Sequence, residues 1–283
     1  MFNKYEKTFI GCNKNYNDCK IVLFGAPFDS TASYRPGSRF ASAAIRNESY
    51  SIETYSPYLD RDLTDIAVYD SGDLELPFGN PKNALNIIED YTEKILSDDK
   101  LPLMIGGEHL ITLGTVRACY KKYPDLHIIH FDAHTDLRDE YLGEKLSHAT
   151  VMRRCWEILG DHKIFQFGIR SGDREEFRWA KDHVILNKFN FNNLKTALNI
   201  LLSKPIYLSI DLDVLDPAIL PGTGTPEAGG VSFNHLLDAI MQISKLDIVG
   251  VDVNELSPIY DQSGISTSLA CKLLREILLN ICR

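Results

Sequence analysis

Short apolar segments alternate along this chain with longer segments whose apolar residues recur at helical spacing. The short segments have the length and the content of β-branched residues that are typical of buried strands. They cover residues 21–25, 66–70, 101–105, 126–131, 163–167, 183–186, 206–210 and 248–253. The longer amphipathic segments include residues 81–96, 110–123, 145–159, 233–243 and 266–281. The pattern therefore predicts strands and helices in regular alternation.

Such an alternation is typical of βαβ units, in which helices cover both faces of a parallel sheet. We predict an α/β protein, a three-layer α/β/α sandwich with a mostly parallel sheet of about eight strands. The chain has no linker-like, repetitive or low-complexity segment, and the Asn-rich residues 189–193 read as a surface loop that leads into a helix. We expect residues 1–283 to form a single domain.

Candidate functional residues first appear where the strand predicted at 126–131 ends, in the sequence FDAHTD. Asp132 and His134 are two residues apart, so on a strand they project to one side, with Asp136 close behind. Carboxylates are rarely buried without partners, and a cation is a suitable partner for this set. Read alone, the segment is explained equally well as a solvated acidic loop.

Two other predicted strands end in similar residues. Asp211 and Asp213, again two apart, follow the strand predicted at 206–210. The strand at 101–105 runs into GGEH, where the glycines permit a tight turn and His109 opens a helix. Taken alone, such a histidine is more often structural. Ligand sites of open parallel sheets lie outside the carboxyl ends of strands, so we expect the three strand ends to converge.

The converging residues form a candidate metal centre. They are His109, Asp132, His134, Asp136, Asp211 and Asp213. This is too many ligands for one ion that must leave a position open for water, but it suits two ions about 3.5–4 Å apart. Oxygen and imidazole ligands without sulfur favour Mn²⁺ over structural Zn²⁺, although ligand type alone does not exclude Zn, Fe, Co or Ni. Histidines without acidic neighbours at ligand spacing are interpreted as structural or surface residues: His127, His130, His162, His183 and His235.

The net charge of −9 narrows the range of partners. It argues against nucleic acid and anionic membranes, and it suits a small cationic substrate. The six cysteines are scattered without a CxxC pair, which is typical of reduced thiols. The sequence shows neither an apolar signal segment nor a window long enough to span a bilayer. Together these features predict a cytoplasmic location.

The motifs GGEH, FDAHTD and SIDLDVLDPAILPGTGTPEAGG resemble those of the ureohydrolases, the arginase and agmatinase family, over nearly the whole chain. The resemblance implies an arginase-like fold and a pair of manganese ions. One ion would be held by His109, Asp132, Asp136 and Asp211. The other would be held by Asp132, His134, Asp211 and Asp213, so that Asp132 and Asp211 bridge.

The resemblance also implies a reaction, in which a metal-bridging hydroxide attacks a guanidinium carbon and urea is released. Four carboxylates roughly cancel two divalent ions, so the bridging hydroxide leaves a net negative charge that attracts cations. Glu255 matches the family residue that holds the planar guanidinium. Asp136 is expected to carry a proton to the leaving amine. His148 stands where the family has its shuttle histidine, although Ala149 follows it where the family often has glycine.

The residues after FDAHTD bear on the choice of substrate. Arginases bind an α-carboxylate there with small polar residues, whereas this chain has Arg138, Asp139 and Glu140. Arg138 could grip a carboxylate, but the two acids suit a cationic amine. The long third motif, with Glu227, also looks like the agmatinase branch. We therefore predict hydrolysis of agmatine to putrescine and urea, a step of polyamine biosynthesis, in a homo-oligomer that the resemblance suggests is a trimer or hexamer.

Several alternatives remain open at this point. Arginase, guanidinobutyrase and formiminoglutamase activities fit the same motifs. A metal-dependent deacetylase shares the general architecture, but it would be expected to use one zinc ion and fewer ligands. An inactive homologue that acts as a binding protein is disfavoured by the intact ligand set.

Overall fold

A mostly parallel sheet of nine strands forms the centre of the molecule. The structure is a computed structural model that describes residues 2–3 and 7–282. Its strands are β1 Phe2–Asn3, β2 Ile21–Gly25, β3 Tyr55–Ser56, β4 Arg61–Asp62, β5 Val68–Leu74, β6 Leu101–Ile105, β7 His127–Phe131, β8 Ile164–Ile169, β9 Ile185–Lys188, β10 Pro205–Asp211 and β11 Asp247–Asn254. The order across the sheet is β1-β5-β2-β6-β11-β10-β7-β8-β9, and only the edge strand β1 pairs antiparallel among the described strands of this sheet. Strands β3 and β4 form a separate antiparallel pair.

The prediction of an α/β sandwich with about eight parallel strands is confirmed, because each of the eight predicted strands is present with small shifts of its ends. The helices are α1 Ala41–Glu48, α2 Pro81–Ser97, α3 Thr112–Lys122, α4 Val151–Leu159, α5 Arg174–His183, α6 Leu194–Leu201, α7 Phe233–Ile243 and α8 Ile265–Ile281. Helix α4 starts later than predicted, since a 3₁₀ turn, His148–Thr150, precedes it. Helix α6 follows the Asn-rich loop, as expected.

Two apolar layers separate the sheet from its helices. On strand β2, Val22 and Phe24 point to one face and Leu23 to the other, as the two-residue period of a strand requires. The first face packs against α2, α3, α4 and α5, and the second against α1, α6, α7 and α8. Apolar side chains on both faces explain why the strands read as continuous apolar runs in the sequence.

Four adjacent strands in the middle of the sheet, β6, β11, β10 and β7, bring their carboxyl ends together. The parallel register pairs Ile105 with Val253, Asn254 with Asp211, and Ile210 with Phe131, so these strands end nearly level. After β6 the chain needs glycine, because a Cβ at Gly106 would collide with the side chain of Asn254, and one at Gly107 with the backbone of Phe28. The predicted functional residues follow these ends.

Within the described residues, no helix combines the length and the apolar character needed to cross a membrane. The six cysteines are buried, and none forms a disulfide. Their thiols lie among the apolar side chains of the two layers.

Candidate metal centre

His109 faces three carboxylates. It begins a 3₁₀ turn that leads into α3, and its side chain is buried. Its Nδ1 lies 3.2 Å from an Oδ2 atom of each of Asp132, Asp136 and Asp211. This nitrogen is buried, and it makes no hydrogen bond of acceptable geometry within the described part of the chain. A buried imidazole nitrogen without a donor or acceptor partner, surrounded by carboxylate oxygens, is the arrangement that a metal ion would satisfy.

The other ring nitrogen of His109 fixes its tautomer. Nε2 lies 2.9 Å from the hydroxyl of Ser209, and that hydroxyl donates its single proton to Asp252 Oδ1 at 2.7 Å. Ser209 must therefore accept from Nε2–H, which leaves Nδ1 of the neutral ring with a free lone pair. Asp252 is itself buried and accepts from Tyr207 and Asn254. This chain of hydrogen bonds prepares His109 to act as a ligand through Nδ1.

His134 completes a second group on the far side of Asp132. Its Nδ1 lies 3.0 Å from Asp213 Oδ2 and 3.5 Å from Asp132 Oδ1. Asp132 thus presents one oxygen to His109 and the other to His134. The structure brings all six sequence-predicted ligands together in two groups that share this carboxylate.

Backbone amides orient the aspartates. Asp211 Oδ1 accepts the N–H of Asp213 at 2.8 Å, and Asp213 Oδ1 accepts the N–H of Ala133 at 3.1 Å. In each case the second oxygen faces a histidine. Asp136 has a φ of +54°, in the left-handed region that a non-glycine residue seldom adopts. Backbone strain of this kind is common where a fold holds a side chain in a functional position.

The cluster carries excess negative charge for a buried site. Burial, together with repulsion from Asp213 and Asp132, raises the pKa of Asp211 well above its usual range. Burial also raises the pKa of Asp213. Without cations these carboxylates must bind protons or repel one another. Divalent cations would replace the protons, so the donor set fits a metal pair.

A cleft of about 270 Å³ opens onto this cluster. Glu255 lines it with a φ of +64°, and its Oε1 accepts the backbone N–H of His109 at 2.7 Å. Burial and the neighbouring Glu108 raise the pKa of Glu255 well above its usual range, so its ionised form gains from a cationic partner. His148 lines the same cleft, and burial lowers the pKa of its imidazole.

A family model described as the Arginase family matches residues 19–280. The chain belongs to the arginase family. It is 49% identical over 277 residues to the agmatinase of Bacillus subtilis (strain 168), with 96% of each chain covered. It is 36% identical to the guanidinobutyrase of Pseudomonas aeruginosa, covering 91% of this chain and 85% of that protein. The agmatine ureohydrolase of Thermoplasma volcanium superposes with a TM-score of 0.89 at 35% identity, covering 99% of this chain and 95% of that one.

His130 of this arginase-family chain is structural, as predicted, but the premise that it lacks an acidic neighbour at ligand spacing was wrong. His130 has an acidic neighbour two residues away, Asp132, and donates to its Oδ2 from Nε2 at 2.8 Å. The tautomer is set by Gln166, whose amide donates to His130 Nδ1 at 3.0 Å and to the carbonyl of Thr135 at 2.7 Å. His130 therefore supports a candidate ligand. The spacing that identified Asp132 and His134 would also have identified this pair.

Other supporting residues of the arginase-family site gave no sequence signal. Ser209 and Asp252 lie inside apolar strands, where polar residues do not reveal their partners. Thr31, in the loop after β2, accepts Nδ1–H of His148 at its carbonyl (2.9 Å) and donates its hydroxyl to Glu108 (2.7 Å). The carbonyl contact fixes the His148 tautomer and leaves Nε2, 3.2 Å from Ser33 Oγ, on the cleft side.

Among the residues considered for substrate choice in this arginase-family chain, Arg138 lines the cleft, whereas Asp139 and Glu227 do not. Arg138 lines the cleft, where its guanidinium is 3.6 Å from Asp173 and 3.5 Å from Glu176. Asp139 is not among the residues that line the cleft, and it pairs with Arg154. Glu227 does not line the cleft, and its backbone carbonyl accepts hydrogen bonds from Arg170.

Proposed function

We propose that this protein is a binuclear-metal amidinohydrolase that converts agmatine to putrescine and urea. The observation that carries the proposal is the pair of imidazole Nδ1 atoms, of His109 and His134, that face opposite oxygens of Asp132 beneath a cleft bordered by Glu255. The similarity to agmatinases over 96% of the chain supports agmatine as the substrate.

We propose that two Mn²⁺ ions bind here, because the donor set is rich in carboxylate oxygen and contains no sulfur. One ion would be held by His109, Asp132, Asp136 and Asp211, and the other by Asp132, His134, Asp211 and Asp213. When bound, such a pair would lower the pKa of coordinated water toward neutrality and so would supply a nucleophile. The protein's part is to fix the ligands, exclude bulk water and hold the guanidinium.

Glu255 is the proposed partner of the guanidinium. Its carboxylate is buried, is oriented by the His109 amide, and borders the cleft. A planar guanidinium offers parallel N–H donors to such a carboxylate, and the favourable interaction offsets the cost of burying the charge.

Asp136 and His148 are the proposed proton carriers. The Asp136 carboxylate lies beside His109 and lines the cleft, so it can pass a proton to the departing amine. The Nδ1–H of His148 is held by Thr31, so Nε2 can exchange protons on the cleft side. Burial keeps the pKa of His148 below its usual value, which favours the neutral form that accepts a proton at neutral pH.

Arg138 bears on the tail of the substrate. Its guanidinium is already flanked by the carboxylates of Asp173 and Glu176, and it lies 4.9 Å from the ring centre of Tyr141. The three charged groups sum to one negative charge, which suits the ammonium tail of agmatine better than the carboxylate of arginine or guanidinobutyrate.

The molecular setting is also part of the proposal. We propose a single-domain, cytoplasmic enzyme of polyamine biosynthesis that assembles as a trimer or hexamer. Reduced cysteines are consistent with a reducing compartment. Light scattering of the purified protein tests the assembly, and a monomer at micromolar concentration contradicts it.

The test of the activity is a substrate panel. Protein stripped with chelator and reloaded with Mn²⁺ is incubated with agmatine, arginine, 4-guanidinobutyrate and formiminoglutamate, and urea, amine and formamide are quantified. We expect equimolar urea and putrescine from agmatine, no turnover by the stripped protein, and slower reactions of the other compounds. Turnover of another compound without urea from agmatine overturns the substrate assignment. Tight binding of a single zinc ion overturns the binuclear assignment.

A further inference from the structure

Arg170 gathers the backbone of three separate segments. It follows β8, and its guanidinium donates only to backbone carbonyl oxygens within the described chain. These are Gly168 O at 3.3 Å, Asp213 O at 2.6 Å, Val214 O at 3.2 Å, Leu215 O at 3.4 Å and Glu227 O at 2.8 Å. Nε donates to Glu227 O a second time, at 3.2 Å. One side chain thus binds the end of β8, the segment that carries Asp213, and the loop that ends at Glu227.

The segments at Asp213 and Glu227 lie outside the α-helices and strands, and backbone hydrogen bonds between Val214, Asp216 and Val231 join the chain on either side of them. After β10 the chain makes a single 3₁₀ turn, Leu212–Val214, and then continues without helix or strand up to α7. Carbonyl groups that converge on one point repel one another unless a donor lies between them. A guanidinium offers five N–H donors in one plane, whereas the ammonium of lysine offers three from one atom. Arginine is therefore suited to span Asp213 and Glu227.

The bound segments meet at the second group of candidate ligands. Asp213 Oδ2 faces Nδ1 of His134 at 3.0 Å. The same oxygen accepts the hydroxyl of Thr225 at 3.3 Å, and Thr225 lines the cleft two residues before Glu227. Arg170 holds the backbone carbonyls of Asp213 and Glu227. It therefore helps to place the Asp213 carboxylate beside His134 and the Thr225 hydroxyl beside that carboxylate. The first group, around His109, has its own support through Ser209, and within the described part of the chain it accepts no hydrogen bond from Arg170.

We propose that Arg170 is a positioning residue that couples the metal site at His134 and Asp213 to the cleft wall around Thr225. The inference rests on the proposed function, since it assigns a role within the same centre. Among the described residues, Arg170 does not line the cleft, and its guanidinium donates to backbone carbonyl oxygens. Its loss is expected to loosen one of the two ions selectively and to weaken substrate binding, while the ion at His109 stays in place.

The test compares Mn²⁺ binding by Arg170→Met, Arg170→Lys and wild type after chelation. The matched control is Arg174→Met, an exposed arginine at the start of α5. Equilibrium dialysis gives the affinity of each ion, and electron paramagnetic resonance distinguishes a coupled Mn²⁺ pair from a single ion. We expect Arg170→Met to bind one Mn²⁺ ion tightly and the second about 10–100-fold more weakly than wild type, as for other residues that orient ligands. At limiting metal, its electron paramagnetic resonance spectrum should be that of a single ion. KM for agmatine should rise, and Arg174→Met should match wild type.

A selective loss of affinity for one of the two Mn²⁺ ions distinguishes this proposal from a merely structural role of Arg170. Two ions with wild-type affinities in Arg170→Met overturn it, and so does an equal weakening of both. If the Met variant does not fold, Arg170→Lys decides by the same criterion, because it keeps the charge but cannot bridge the two loops. If the wild type binds fewer than two ions or releases no urea, the proposed function fails whatever the Arg170 variants do.

Discussion

The tautomer of His109 shows how single residues prepare this site. The imidazole could bind a metal through either nitrogen, and the hydroxyl of Ser209 removes the choice by accepting Nε2–H. Ser209 can only accept because its own proton is committed to Asp252. Buried polar residues in a strand would otherwise be costly, so their presence here is explained by the ligand that they orient.

Replacing Ser209 with alanine should therefore weaken metal binding at His109. The ring would lose the acceptor that fixes its tautomer, and Asp252 would lose one donor. We expect affinity for one Mn²⁺ to fall about 10–100-fold, with the ion at His134 and Asp213 retained. Equilibrium dialysis of Ser209→Ala beside the exposed-site control Ser203→Ala measures this. Unchanged affinity for both ions would show that the hydrogen bond to His109 is dispensable.

Glu255→Gln should separate substrate binding from metal binding. Glutamine keeps an acceptor for the His109 amide but loses the charge that faces the cleft. A hydrogen bond to a charged group contributes about 1.5–3 kcal/mol, so kcat/KM for agmatine should fall roughly 10- to 100-fold.

The control for this variant is its metal content, which should remain two ions per chain after reloading with Mn²⁺. Normal kcat/KM in a fully loaded Glu255→Gln protein would place the guanidinium elsewhere in the cleft. Loss of metal along with activity would assign Glu255 to the support of His109 instead.

At the scale of elements, the sequence pattern predicts the strands well and their ends less well. The apolar run at 66–70 ends in polar residues that read as a turn, yet β5 continues to Leu74. The reason lies outside the strand, in the buried side chain of Arg46 on α1, which pairs with both Asp70 and Asp73. Local pattern cannot reveal a partner that lies more than twenty residues away.

Helix α5 fits the predicted alternation of strands and helices but is not among the helical segments named from the sequence. Its sequence, REEFRWAKDH, is dominated by charged residues, so few apolar residues mark its buried face. The signal that was available is its N-terminus, where Asp173 accepts the N–H of Glu176 and the Glu176 carboxylate accepts the N–H of Asp173. This capping box was readable in the sequence as an aspartate followed three residues later by glutamate.

Arg46→Met tests whether the ion pairs hold the extended end of β5. The Asp70 side chain is 0% exposed, so removal of Arg46 leaves a buried carboxylate without its charged partner, held by the backbone N–H groups of Phe9 and Gly72. We expect a loss of about 3–5 kcal/mol of stability, seen as a lower midpoint in urea unfolding of the metal-free protein. Arg178→Met breaks an exposed pair with Glu175 and should cost less than about 1 kcal/mol. Equal effects of the two changes would contradict a special role for Arg46.

At the scale of the molecule, the topology explains why residues from 109 to 255 meet at one place. Strands β6 and β7 follow one another in the chain, but β11 and β10 lie between them in the sheet. Four strand ends that are far apart in sequence therefore become neighbours, at the kind of position where open α/β sheets bind ligands. The acidic and histidine residues at those ends could be predicted from spacing. Their supports, such as Arg170 and Thr31, could not, because they reach the site from other loops through backbone contacts.

Metal removal should destabilise the whole molecule, because the candidate ligands join the ends of three central strands, β6, β7 and β10. Binding to the native state alone adds about 4 kcal/mol at a thousandfold excess of free ion over its dissociation constant. For a chain of this size that corresponds to a rise in Tm on the order of 10 °C. Scanning calorimetry of chelated and Mn²⁺-loaded protein measures this difference in Tm. The variant Asp132→Asn disturbs both groups of candidate ligands, so its Tm should differ little between the two states.

The difference in stability between Mn²⁺-loaded and metal-free protein should also increase as pH rises. Burial and mutual repulsion raise the pKa values of Asp211 and Asp213 in the folded, metal-free protein, whereas unfolded aspartates ionise near pH 4, roughly their ordinary value. Their contribution to stability is complete below that value and is lost as pH rises through the folded pKa. Bound cations need the ionised carboxylates, so the loaded protein avoids this loss and binds its metal more tightly at higher pH. The measurement is the difference in Tm between loaded and metal-free protein from pH 5 to pH 8, roughly the range in which folded proteins are most stable. A constant difference would mean that protons do not replace the cations in this centre.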